Sequence, residues 1–333
     1  MGPRRGPERH GSVAHGPGTS TPVPAWPRAA KGITHVFTRY RALTRRRWVA
    51  VVAPVAAAAA LSAIPLAASQ AATPAMAASA AASASGSGGL PVMTVSMNGK
   101  AISVGGTLKS GAERVVFKVT GEPAGGPGFA RLDPGATLSQ LFAALPAAAQ
   151  DPNNLYGIAQ IVMSTQANKG TSSVYLDLAP GTYVALDLAS TAKTPPLTVF
   201  TVWPSHHPAA MPKAGAAIST REFGFTGATK IYDGQTVRWG NAGFLVHMIQ
   251  GIEAPNLATA NKIAADLKAG NDNAAGALAI GEYGWVGALS HAQSFESVVA
   301  QKPGYWVIAC FMDTQDGREH TTLGMEKVIQ ILK

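Results

Sequence analysis

A single cysteine, Cys310, stands among 333 residues, so the chain closes no intramolecular disulfide. That thiol is left to be buried and inert, reactive, bridged to another molecule, or a metal ligand. With no second cysteine behind the N-terminal leader, a lipid-modified cysteine anchor is excluded. Gly-x-Ser-x-Gly, a phosphate-binding loop and His-Glu-x-x-His are also missing, and with them the chemistries those motifs carry. Charge is scarce, at 14% of residues, and its excess is local. Residues 1–71 hold ten of the 27 Lys/Arg but only Glu8 of the 18 acidic residues, which leaves 17 of each sign for the remainder. The net charge of +9 therefore belongs to a leader and implies no nucleic-acid surface.

The leader itself has two parts. Residues 1–43 are rich in Gly, Pro and Arg with no apolar period, and are expected to be disordered. Thr44-Arg45-Arg46-Arg47-Trp48 then precedes an Ala/Val-dominated run, Val49 to Ala68, broken by Pro54, Ser62 and Pro65. Small residues at Ser69 and Ala71 suit cleavage, and the arginines suit a twin-arginine export signal. The run is also long enough to anchor the chain in a membrane. Either reading puts the rest outside the cytoplasm, exported or at the cell surface.

From 72 to 89 the chain is an Ala/Ser/Gly-rich linker, expected to be a flexible tether. Beyond it the texture becomes short β-branched runs between Gly, Pro and Asn turns, as in Arg114-Val-Val-Phe-Lys-Val119 and Leu197-Thr-Val-Phe-Thr-Val202. Such spacing predicts a β-sandwich over 90–203, with a helix at Leu138 to Ala148. A Pro/His linker follows at 204–215, with His206 and His207 expected in solvent. The plan then recurs over 216–333, with a helix from Asn256 to Lys268. Gly111 and Gly234, and likewise Gly181 and Gly304, are 123 residues apart, while Leu141 and Ile263 are 122 apart. These agreements indicate a tandem duplication. At the position of Asp187 in the first copy, the second has Cys310.

Candidate chemistry gathers in that second copy. Cys310, His320 and Met325 lie between two strand-like runs, Gly304 to Ala309 and Glu326 to Leu332. Thiolate, imidazole and thioether are the donors that select copper, and a His2Cys set with a weak axial Met holds it in electron-transfer sites. The second imidazole is His247, in Asn241-Ala-Gly-Phe-Leu-Val-His247. Apolar neighbours such as Phe244, Trp306 and Ile308 are expected to surround the set, and His320, on a loop, is expected nearest solvent. His291 reads as a surface residue.

Asn241…His247, Pro303-Gly304-Tyr305 and Cys310…His320…Gly324-Met325 together resemble the blue-copper (cupredoxin) family that includes plastocyanin. The resemblance implies an all-β fold of two tandem Greek-key sandwiches, the first a degenerate copy. It also implies one type-1-like copper ion on His247, Cys310, His320 and Met325, and electron transfer with a redox partner protein. Nine residues separate Cys310 from His320, more than in the family's small carriers but comparable with the type-1 site of copper nitrite reductases. A longer loop is expected to be looser, and its Glu319 is an alternative to Met325 as fourth ligand. Multicopper oxidases of the family need His-x-His pairs, which this chain lacks, so no catalytic residues are assigned. The alternatives are copper capture or delivery outside the cytoplasm, or a metal-free cell-surface binding module on the same scaffold.

Overall fold

The computed structural model describes residues 89–333, apart from 149 and 191–194. The leader and residues 72–88 of the linker, with the expected export signal or anchor, lie outside the described residues. Among the described residues no helix is long and apolar enough to cross a membrane.

The first half runs β1 (Val92–Met97), β2 (Ile102–Gly106), β3 (Gly111–Gly125), β4 (Pro127–Leu132), helix α1 (Leu138–Ala148), β5 (Ala159–Ser164), β6 (Ala167–Leu178), β7 (Gly181–Asp187) and β8 (Leu197–Val202). In the second half come β9 (Ala216–Arg221), β10 (Gly224–Gly227), β11 (Lys230–Tyr232), β12 (Thr236–Asn241) and β13 (His247–Ala254). Helices α2 (Leu257–Lys268) and α3 (Asp272–Leu278) follow, then β14 (Gly281–Leu289), β15 (Ser294–Val298), β16 (Gly304–Ala309) and β17 (Glu326–Leu332).

Sheet order bears out an all-β sandwich and repeats itself. The first half pairs β2-β1-β3-β6 in one layer and β5-β4-β7-β8 in the other; the second pairs β10-β9-β12-β15 and β14-β13-β16-β17, with β11 added at the edge. Both layers keep even the parallel pair, β1 with β3 and β9 with β12. The corresponding strands β6 and β15 then pair antiparallel with each other, Glu296 opposite Tyr175, and fuse the two inner layers into one eight-stranded sheet.

Alternation explains the layers. In β1, Met93, Val95 and Met97 face inward, and in β3 so do Val115, Phe117 and Val119. Strand β16 is apolar on both faces because both are covered. Trp306 and Ile308 enter the sandwich core, while Val307 and Ala309 pack beneath α2 with Ile263 and Leu267. The core centres on indoles: Trp239 stacks on Trp285 at 5.3 Å, and Trp285 meets Trp306 at 5.4 Å. Gly251 makes room for that cluster, since a Cβ there would stand 2.3 Å from the Trp285 ring.

Candidate metal centre

Cys310 follows directly on β16, one residue beyond its last pleat, and leaves both the core and the α2 interface. With Met248 and Met325 it forms a small buried cluster of its own. The backbone N–H of Met248 donates to its sulfur at 3.4 Å. His247 opens β13, and its Nδ1 is 3.8 Å from the Cys310 Sγ; the Nδ1 of His320 is 3.4 Å from the same sulfur. Ligand atoms of His247, Cys310 and His320 all lie within 4.8 Å of one another. The two rings meet edge-on, centroids 5.1 Å apart.

Backbone bonds lock the loop that carries the later residues. Cys310 N–H donates to the Met325 carbonyl (3.2 Å), Met325 N–H to the His320 carbonyl (3.0 Å), and His320 N–H to the Met312 carbonyl (2.8 Å). His320 begins a single 3-10 turn ending at Leu323, and Gly324 closes it with φ of 100°, a left-handed conformation that favours glycine. The residues between Cys310 and His320 are not a loose insertion. A bridge pairs Asp313 with Glu319, and Thr314 N–H donates to the Arg318 carbonyl at 2.8 Å. Asp316-Gly317 makes the turn, with Gly317 at φ of 80°. The segment is thus a small hairpin, and the expected looseness of a long loop is answered by its own hydrogen bonds. Glu319 accepts from the Thr321 hydroxyl at 2.8 Å and stands outside the three-residue group, whereas Met325 is fully buried beside Cys310.

Asn241 positions the other ligand. Its side-chain amide donates to the carbonyls of Leu245 (2.7 Å) and Leu289 (2.8 Å) and accepts from Gly243 N–H (2.8 Å). The first half helps: Asn153 accepts from Val246 N–H at 2.8 Å. Glu222, at the β9–β10 turn, accepts from the N–H groups of Phe244 and Leu245. Neither Asn153 nor Glu222 carries a sequence signal, because each acts through a backbone partner far along the chain.

Three expectations about the surround are corrected. Trp306 and Ile308 lie in the sandwich core, not in the cluster around Cys310. Phe244 is 80% exposed and stacks on His291 at 5.1 Å, so it shields nothing; residues 242–246 form a tight loop, not a strand, and the Phe244 ring turns outward. His320 is fully buried rather than near solvent, because Phe223 sets its ring edge-on against the imidazole at 5.2 Å. Phe223 holds an unusual φ of 55° at the hairpin tip to do so. His291 is at the surface, and His206 and His207 are exposed.

Burial sets the protonation states. It pushes the Cys310 thiol up to about 12, against the lowering effect of backbone N–H donors from Met248 and Met312. Burial, with His320 alongside, holds His247 down at about 4, and burial lowers His320 as well. At neutral pH the centre is one thiol and two neutral imidazoles. The Nε2 atoms of both imidazoles are buried with no hydrogen-bond partner. Three fully buried soft or borderline donors with ligand atoms within 4.8 Å of one another fit a copper ion, with loss of only the thiol proton.

No family model and no curated protein matches the chain. Among solved structures it is similar to reduced auracyanin from Roseiflexus castenholzii, at 17% identity over 35% of this chain and 95% of that one, TM-score 0.22. A purple cupredoxin from Nitrosopumilus maritimus matches at 15% over 35% and 98%, TM-score 0.21. Copper nitrite reductase from Nitrosomonas europaea matches at 11% over 73% and 93%, TM-score 0.21. At such TM-scores the likeness carries no argument by itself. Sheet order makes the second half a two-layer β-sandwich, and it holds a buried His–Cys–His group.

Proposed function

We propose that the chain is an extracytoplasmic electron-transfer protein in which His247, Cys310 and His320, with Met325 as weak fourth donor, hold one copper ion. The observation that carries this reading is the convergence of three buried donors within 4.8 Å. Copper held there supplies a one-electron couple. The protein's part is to keep the donors in one arrangement for both oxidation states, and it does so through the bonds tying Cys310, Met325, His320 and Met312 in sequence. It also excludes water, which keeps charge rearrangement around the donors small. Phe223, partly exposed and against His320, is the proposed route for electrons to the surface and to a redox partner protein.

Capture or delivery of copper fits less well, because no donor of the group is exposed to hand the ion to a partner. Carrier rather than enzyme is the reading we adopt, since no His-x-His pair is present to build further copper centres. Titration of the metal-free protein with Cu(II) tests the assignment. An intense visible thiolate-to-copper band saturating at one ion per chain is expected, with its loss in Cys310→Ala and reversible one-electron cycling. A band that persists in Cys310→Ala, or no band in the unaltered protein, refutes it.

A further inference from the structure

Both segments that carry the imidazoles run back into the first half. Val246, the residue before His247, is 5% exposed, and its side chain belongs to the first half's outer core, in one cluster with Leu155, Ile161 and Val184. Met312, whose carbonyl accepts the His320 N–H at 2.8 Å, packs against that same core and also against the cluster of Cys310 and Met325. Side chains in close-packed surroundings pass a displacement on to their neighbours. The outer core of the first copy is therefore in mechanical contact with both histidine-bearing segments.

The backbone ahead of His247 is held from the same place. A short 3-10 turn, Pro152–Leu155, seats Leu155 in the outer core and presents Asn153 to Val246. The side-chain oxygen of Asn153 accepts from Val246 N–H at 2.8 Å, while its amide nitrogen donates to the Asp151 carboxylate at 2.7 Å. That carboxylate also accepts from the Asn153 backbone N–H at 2.9 Å. A carboxylate only accepts, so it fixes which end of the amide faces it and leaves the oxygen for Val246. We propose that Asn153, oriented by Asp151, is a positioning residue for the metal centre, and that the first half is the fixed wall against which Val246 and Met312 set the two imidazoles. This assignment, which rests on His247, Cys310 and His320 being metal ligands, gives a task to the copy that has Asp187 in place of the thiol.

Hydrogen exchange and nitrogen NMR on the metal-free full chain test this apart from copper binding. In Asn153→Ala the Val246 amide should exchange about tenfold faster, the effect of losing one hydrogen bond, and the imidazole nitrogen resonances of His247 and His320 should shift. Asp151→Ala, a second variant should the first not fold, is expected to act in the same direction. Asp151→Asn keeps an acceptor for Asn153 and should restore the unaltered values. With Cu(II) added, Asn153→Ala should bind one ion about tenfold or more weakly, with a displaced thiolate-to-copper band. Val95→Ala, a cavity in the core at β1, lowers overall stability but should leave resonances and band in place. Unchanged Val246 exchange in a folded variant, resonances and band that stay put in it, or an equal displacement in Val95→Ala overturns the proposal. Failure of the unaltered chain to take up copper refutes the metal reading instead, and the metal-free measurements still decide whether the first half holds the two imidazoles.

Discussion

Asn241→Ala is the sharpest perturbation of the scaffold behind the candidate centre. The residue is 2% exposed, and its side chain makes three hydrogen bonds of 2.7 to 2.8 Å, none to a group that solvent can readily serve. Each such bond contributes about 0.5–1.5 kcal/mol net, and a buried partner left unpaired costs about 1–3 kcal/mol. Alanine abandons two carbonyls and one N–H together, so the loss should reach about 3–4 kcal/mol in the metal-free protein, from equilibrium urea unfolding. Asn241→Asp separates hydrogen bonding from shape. It keeps an acceptor for Gly243 N–H but turns a carboxylate oxygen toward the Leu245 and Leu289 carbonyls, so it should cost at least as much. Because the same bonds fix the loop entering His247, copper affinity should fall by about 10–100-fold, the effect of removing an outer support of a metal ligand. A loss under about 1 kcal/mol for alanine, or a well-tolerated aspartate, would show that the loop is held by something else.

Three further outcomes follow from the charges and the backbone. Metal uptake near neutral pH should release one proton, since the thiol sits at about 12 and both imidazoles are already neutral; affinity should therefore strengthen about tenfold per unit of rising pH, and release of two protons would contradict neutral imidazoles. Glu113 is 1% exposed, and burial raises its carboxyl to about 7 despite the Lys109 N–H that donates to it. Its stabilising contribution is complete below the unfolded value of 4.5 and disappears as pH climbs through about 7, so Glu113→Gln should gain up to about 3 kcal/mol at pH ~8 and nothing at pH ~4 in urea unfolding. An equal gain at both pH values would refute the assignment. Ala292 holds φ of 60°, and Ala292→Gly should raise stability by about 0.5–1 kcal/mol in thermal unfolding; a destabilised variant would refute strain there.

Much of this was legible because the duplication wrote the plan twice. The 123-residue offset placed Gly181 and Gly304 at the starts of β7 and β16, which do occupy the same place in the two sheets. His247, Cys310 and His320 were legible as chemistry, since few residue sets point to so specific a metal, and the structure brings their ligand atoms together. Strands β4, β5 and β14 were not. Pro127 and Gly128 open β4, and Gly281, Gly284 and Gly287 interrupt β14, so tertiary pairing overrode weak local propensity. Helix α3 was missed for a similar reason: seven residues with one glycine give too short a period to read. Burial of His320 depends on Phe223, nearly a hundred positions earlier, and no local pattern encodes that contact.

The two halves also explain each other at the strand end where Cys310 stands. In the second half Met248 N–H donates to the Cys310 sulfur at 3.4 Å; in the first, Gly126 N–H donates to Asp187 at 3.0 Å from the matching place, just before β4. Both halves thus offer a buried acceptor to the same backbone donor, and only the side chain differs. Asp187 meets a second N–H, from Ala189, and lies beside Glu122, whose carboxyl is raised to about 7 by burial and then by Asp187. That arrangement satisfies one carboxylate oxygen with two backbone donors. Where the acceptor is sulfur, two neutral imidazoles converge instead, and the connection to the last strand lengthens from 188–196 to 310–325 to deliver one of them. The scaffold supplies the position in both copies, and the choice of thiol or carboxylate decides whether it can become a metal centre.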